Sequence, residues 1–185
     1  MIVFIGIVGF CMIAGCALNL SDIRHQLNHP TFLDEKTGTA KINLAENGQC
    51  PTVTLPVNPV NFETRTDKYV VCGTCKPNQY LEPKEFIENT VQYLKKKLIE
   101  SNLKVDEQSG KKILVSLEEA TSSSGVWSVE TNVKLKIELP EINYSKIYSG
   151  VEGGHYPNHA IAYALHLAIH KFLNDPVFQI YVKCQ

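Results

Sequence analysis

The clearest pattern in the chain is a strict alternation. Val129, Thr131, Val133, Leu135, Ile137 and Leu139 take every second place, with Ser128, Glu130, Asn132, Lys134, Lys136 and Glu138 between them. A two-residue period sends successive side chains to opposite faces, so this segment predicts a long strand with one buried and one wet face. Ile113, Val115 and Leu117, set against Lys112, Ser116 and Glu118, predict a strand before it. Ser122-Ser123-Ser124-Gly125 reads as a turn between them. Residues 144–151 predict a third strand, ended by Gly153 and Gly154.

A helical period takes over on either side. Ile87, Val91, Leu94 and Leu98 recur at helical spacing, Phe86 widens the stripe, and Glu88, Gln92, Lys95 and Lys96 fall outside it. Pro83 suits a helix start and Asn102 a left-handed stop. A last helix is predicted over residues 158–173, with Ile161, Leu165, Ala168 and Phe172 facing the core and Asp175-Pro176 ending it. Residues 177–182 return as a short helix or strand, and residues 69–72 form a short strand before the first helix. Helices before and after a run of adjacent strands imply an α+β fold. The sheet is expected to be antiparallel, three- to four-stranded, with two helices packed on one face.

Residues 17–66 lack such periodicity and are rich in turn formers: Asn28-His29-Pro30, Thr37-Gly38, Asn47-Gly48, Pro51, Pro56 and Pro59. They predict an extended arm with one short edge strand at residues 52–55, acting as a tether. The expected organisation is a leader over 1–15, a lipidated N-terminus and extended arm over 16–66, and an α+β domain over 67–185.

The front of the chain gives that arm a purpose. Residues 1–15, MIVFIGIVGFCMIAG, carry no charge, and the run is short for a membrane span but right for the apolar part of a signal peptide. No Lys or Arg precedes it, which departs from the usual signal pattern. Ile13-Ala14-Gly15-Cys16 resembles a bacterial lipobox, in which the cysteine is acylated and becomes the mature N-terminus. More than one acyl chain gives stable anchoring. Residue 17 is Ala rather than Asp, which by the lipoprotein sorting rule resembles an outer-membrane destination.

Composition narrows the partners. The formal net charge is −1, which argues against nucleic acid, since that partner demands a basic footprint. Lys95-Lys96-Lys97 and Lys111-Lys112 read as solvated faces. With Cys11 in the leader and Cys16 lipidated, Cys50, Cys72, Cys75 and Cys184 remain. An even number in an oxidising compartment suggests two disulfides, with three connectivities open.

At the level of whole elements, Cys16 is followed by Leu94–Leu103 leading into Ile113–Leu117, and then by Val129–Leu139. After these come Tyr148-Ser149-Gly150-Val151-Glu152-Gly153 and Ala162 through Leu173-Asn174-Asp175 to Val182. This order resembles the YajG-type family of small bacterial outer-membrane lipoproteins, over roughly residues 83–182. The resemblance implies an envelope lipoprotein and no reaction. Similar small α+β lipoproteins also serve as subunits of envelope-spanning secretion machines.

Two constellations carry candidate chemistry. Cys72-Gly73-Thr74-Cys75-Lys76 resembles the active-site turn of thioredoxin-like proteins, which would make the chain a periplasmic thiol–disulfide oxidoreductase. There the thiolate is stabilised by a helix starting at the motif, whereas here the helical stripe starts near Pro83. A zinc knuckle would need a second ligand pair, and Cys50 and Cys184 are unpatterned. Structural disulfides among Cys50, Cys72, Cys75 and Cys184 are the favoured reading. On the last helix His159, Tyr163, His166 and His170 form a stripe opposite the core residues. They are expected to face out as a contact surface, sensitive to pH, rather than to bind metal. There is no nucleophile elbow, and Glu118 and Glu119 point to opposite strand faces, a poor acid–base pair. No catalytic residue and no cofactor is expected. Trp127 and Tyr148 read as core or cross-strand aromatics rather than partner contacts.

Overall fold

The alternating segment lies inside a four-stranded sheet. The structure is a computed structural model, and it describes residues 18–28, 55–72, 79–125, 128–154 and 156–183. In chain order the elements are α1 (Leu20–Asn28), β1 (Asn58–Asn61), β2 (Tyr69–Cys72), β3 (Gln79–Leu81), α2 (Pro83–Glu100), β4 (Lys112–Ser124), β5 (Val129–Leu139), a 3-10 turn (Pro140–Ile142), β6 (Tyr144–Gly154), α3 (Pro157–Leu173) and α4 (Pro176–Lys183). The fold is α+β, with strands in the order β1-β4-β5-β6 and a separate hairpin of β2 and β3.

β5 is buried at every apolar position from Val129 to Leu139. It pairs antiparallel with β6 without interruption, from Leu139 opposite Tyr144 to Val129 opposite Gly154. It pairs antiparallel with β4 too, across a bulge between Leu117 and Glu119. The turn expected at Ser122–Ser124 is strand instead, and the chain reverses after Gly125, whose N–H donates to Ser128 O at 2.7 Å. Pairing explains the extension, because the Ser122 and Thr131 hydroxyls meet across the strands at 2.8 Å.

The sheet is mixed rather than antiparallel. β1 runs parallel to β4, from Asn58 opposite Lys112 to Asn61 opposite Val115. Between them the chain crosses back through α2, the type of connection a parallel pair requires. Residues 52–54 of the expected edge strand lie outside the described residues, and the edge strand seen starts at Asn58. Residues 69–72 form a strand as expected, but they pair with β3 rather than within the main sheet.

α2 matches its pattern closely. Glu82 accepts from the Glu85 N–H at 3.2 Å at its start, and Pro83 follows. At its end Asn102 adopts φ 60°, and the Leu103 N–H reaches back to Leu98 O at 2.9 Å, closing a left-handed cap. α3 packs on β5 and β6, and α2 on β1 and β4. Gly150 lets α3 come very close, since a Cβ there would lie 1.8 Å from Ala164 O.

The described parts of the expected arm, residues 18–28 and 55–66, belong to this body. α1 packs against both α2 and α3. Ile23, Leu27 and Val57 belong to the same hydrophobic cluster as Leu135 and Phe172. Residues 20–28 and 58–61 are therefore not tether. A nine-residue helix is marginal by itself and forms because its apolar side is covered.

Candidate functional site

The expected outward stripe of His159, Tyr163, His166 and His170 is partly buried. His166 is 3% exposed and Tyr163 8%, so they do not form an outward surface. α3 is apolar on nearly all sides, with Ala162, Ala164 and Ile169 buried besides the expected core stripe. A helix of that kind lies inside a structure rather than upon it. α1 packs on α3, and Tyr93 of α2 reaches the side that carries His166.

His166 Nδ1 lies 2.5 Å from the Tyr93 hydroxyl on α2, a short hydrogen bond between buried groups. Lys97 stands 5.7 Å from the Tyr93 ring centre and pairs with Glu100 at 3.0 Å. The His170 ring is 6.1 Å from that of His166, and Asn174 Nδ2 donates to the His170 carbonyl at 2.8 Å. His159 lies against Tyr156, ring centres 5.4 Å apart. The structure thus brings His166 and His170 together and leaves His159 at the start of the helix. A buried tyrosine–histidine pair bridging two helices fixes their spacing and makes an unpaired partner costly.

The cysteines give a partial picture. Cys72 is fully buried and disulfide-bonded. Cys16, Cys50, Cys75 and Cys184 lie outside the described residues, as do Trp127 and His155. Opposite Cys72, Gln79 is fully buried, and its side-chain amide has no hydrogen-bond partner among the described residues. Among the described residues no three His, Cys, Asp or Glu side chains converge on a metal position.

Two buried carboxylates escaped the sequence reading. Asp175 Oδ2 accepts from Lys146 Nζ at 2.7 Å, Tyr148 Oη at 3.0 Å and Tyr144 Oη at 3.1 Å. Its Oδ1 accepts the Val177 N–H at 2.8 Å, capping α4. Burial acts to raise the Asp175 carboxyl. Hydrogen bonds from Lys146, the Val177 N–H and the two tyrosines outweigh it and hold the group below its ordinary value. Burial, then Tyr144 and Asp175, push the Tyr148 phenol up. The cluster ties β6 to the turn between α3 and α4.

Glu63 is the second. Its Oε1 accepts from the Arg65 N–H and Nε, each at 2.9 Å, and its Oε2 from the Leu117 N–H at 3.0 Å. Arg65 also donates to Leu117 O. Leu117 borders the bulge, beyond the point where β1 ends, so this pair satisfies the backbone groups that a longer β1 would have met. The Arg65 side chain holds the Glu63 carboxyl down at about 2, against the opposing effect of burial.

Asp175 had a sequence signal, since Asp followed by Pro is a common helix start. Glu63 had none, because its partner Leu117 is a backbone amide far along the chain. The Asp175 and Glu63 groups act as latches between elements. No family model matches the chain, and neither a curated protein nor a solved structure matches it.

Proposed function

We propose that the chain is a non-enzymatic bacterial lipoprotein of the outer membrane. It faces the periplasm and binds other envelope proteins as a structural or assembly component. The observation that carries this reading is Ile13-Ala14-Gly15-Cys16 behind an uncharged apolar run. Acyl chains on Cys16 supply the membrane attachment. The disulfide at Cys72 suits an oxidising compartment. No described helix is long and apolar enough to cross a membrane. Complete burial of Cys72 supports a structural bridge over a reactive thiol, which needs exposure in an electropositive setting. Within this reading the chain is a free-standing protein of YajG type or a fixed subunit of an envelope-spanning secretion complex.

Intact mass of protein extracted from membranes tests the anchor. The expected N-terminal fragment begins at acylated Cys16, and Cys16→Ala leaves the chain unacylated with its leader attached. An unmodified Cys16 in membrane-extracted protein would overturn the reading. Gentle detergent extraction then separates the two forms by size, as a defined complex or a species near the monomer mass.

A further inference from the structure

We infer that the acylated chain holds one particular end of the domain directly against phospholipid headgroups. This rests on acylation of Cys16 and deepens the function proposed above. Chain length is the first argument. Leu18 and Leu20 pack against the core. The Asn19 N–H donates to Asn158 Oδ1 at 3.1 Å, and Asn158 Nδ2 donates to Asp22 Oδ2 at 3.2 Å. The chain is thus fastened to the domain from Leu18 onward. Only Ala17 separates Leu18 from Cys16, and two residues of extended chain reach about 7 Å at most.

The topology identifies the end that is held. Asn158 lies in the first turn of α3, just after β6 ends at Gly154. Gly154 pairs with Val129, and Val129 with Ser124, at the tip of the β4–β5 hairpin. The starts of α1 and α3, the end of β6 and this hairpin tip therefore share one end of the domain.

Charge is the second argument, independent of the first. Residues 17–21, 121–129 and 153–170 contain no Asp, Glu, Lys or Arg. The described parts of these runs at this end are residues 18–21, 121–125, 128–129, 153–154 and 156–160, flanked along the chain by Asp22, Glu130 and Glu152. The opposite end, where α2 finishes and β4 begins, carries Lys95, Lys96, Lys97, Glu100, Lys104, Asp106, Glu107, Lys111 and Lys112. Pressing ionised groups against a membrane strips their water at high cost, whereas serine hydroxyls and asparagine amides exchange water for phosphate and ester oxygens. Tyr156, 66% exposed, adds an aromatic ring with a polar tip, the residue type enriched at membrane interfaces.

The test uses the native acylated protein in phosphatidylethanolamine–phosphatidylglycerol vesicles doped with a photoactivatable phospholipid. Intact mass and flotation come first, so an unacylated chain shows the anchor reading itself to be wrong, and this inference with it. With acylation and flotation established, lipid adducts should fall in peptides from residues 18–22, 121–125 and 153–159, several-fold above those from 95–112 and 176–183. Inserting a Gly/Ser linker of about 20 residues before Leu18 lets the domain move some 25 Å from the surface. It should remove that contrast while preserving flotation. Adducts spread evenly, concentrated at the lysine-rich end, or absent from a floating acylated protein would overturn the inference.

Discussion

β5 and α2 carry their structure in their own residue spacing, whereas α1 and β1 take theirs from what they lie against. β5 alternates buried and wet positions along its whole length, and α2 has its cap residues at both ends. α1 is one short helix wedged between two others, and β1 is four residues paired to a strand far along the chain. Both kinds of element contribute to one core. The lesson is that irregular sequence ahead of a patterned region is not thereby outside the domain. Here it supplies the cover for α3 and one edge of the sheet.

The largest expected effect belongs to the patterned half. Gly150→Ala drives a methyl into the Ala164 backbone, where no side chain can swing away. α3 must shift, at a cost of about 3 kcal/mol or more, read as a fall in the urea midpoint. A wild-type midpoint would mean that α3 does not approach β6 so closely. The matching change in the other half is Ile23→Ala. Ile23 is 1% exposed, so truncation should cost about 2–4 kcal/mol. An exposed tether would lose almost nothing, so this value distinguishes a docked α1 from a loose one.

Asp175→Asn should cost about 1–3 kcal/mol, because it removes the charge on which Lys146, Tyr144 and Tyr148 converge. Thermal unfolding at neutral pH measures it, and an unchanged transition would show that the cluster is not a latch. Glu63 should give the smallest effect and a distinctive pH profile. Its folded pKa is about 2, below the ordinary 4.5, so its contribution is complete above pH 4.5 and fades as pH falls toward 2. Arg65 is half exposed and screened by solvent, so roughly 1 kcal/mol is expected. Glu63→Gln should flatten that part of the stability curve between pH 5 and 2, and an identical slope in both proteins would exclude the pair as its source.

These contrasts mark what was legible in the sequence. The strands from Lys112 onward, apart from the end of β4 at Ser122–Ser124, and the core stripes of α2 and α3 follow from periodicity, and Pro83 and Asn102 mark the ends of α2. α1 did have a signal: Leu20, Ile23 and Leu27 fall at helical spacing, and Asn19 accepts from the Ser21 N–H at 2.9 Å. It was hidden by shortness and by turn formers on its C-terminal side. β1 contains Pro59, which reads against a strand except at a sheet edge, and its partner is set by a helix crossover invisible to local pattern. A single core stripe places the histidines outside, whereas Ala162, Ala164 and Ile169 make α3 apolar on nearly all sides and bury His166.

The central claim is that the chain is fastened to the domain immediately after the proposed anchor, so that the anchor is short. Native-state hydrogen exchange on the N-terminal amides tests it most directly. The account predicts that amides near Ile23 and Leu27 are protected together with those of α2 and α3. Exchange there at the rate of unstructured chain, with α2 and α3 still protected, would contradict it and restore a long tether between the membrane and the domain.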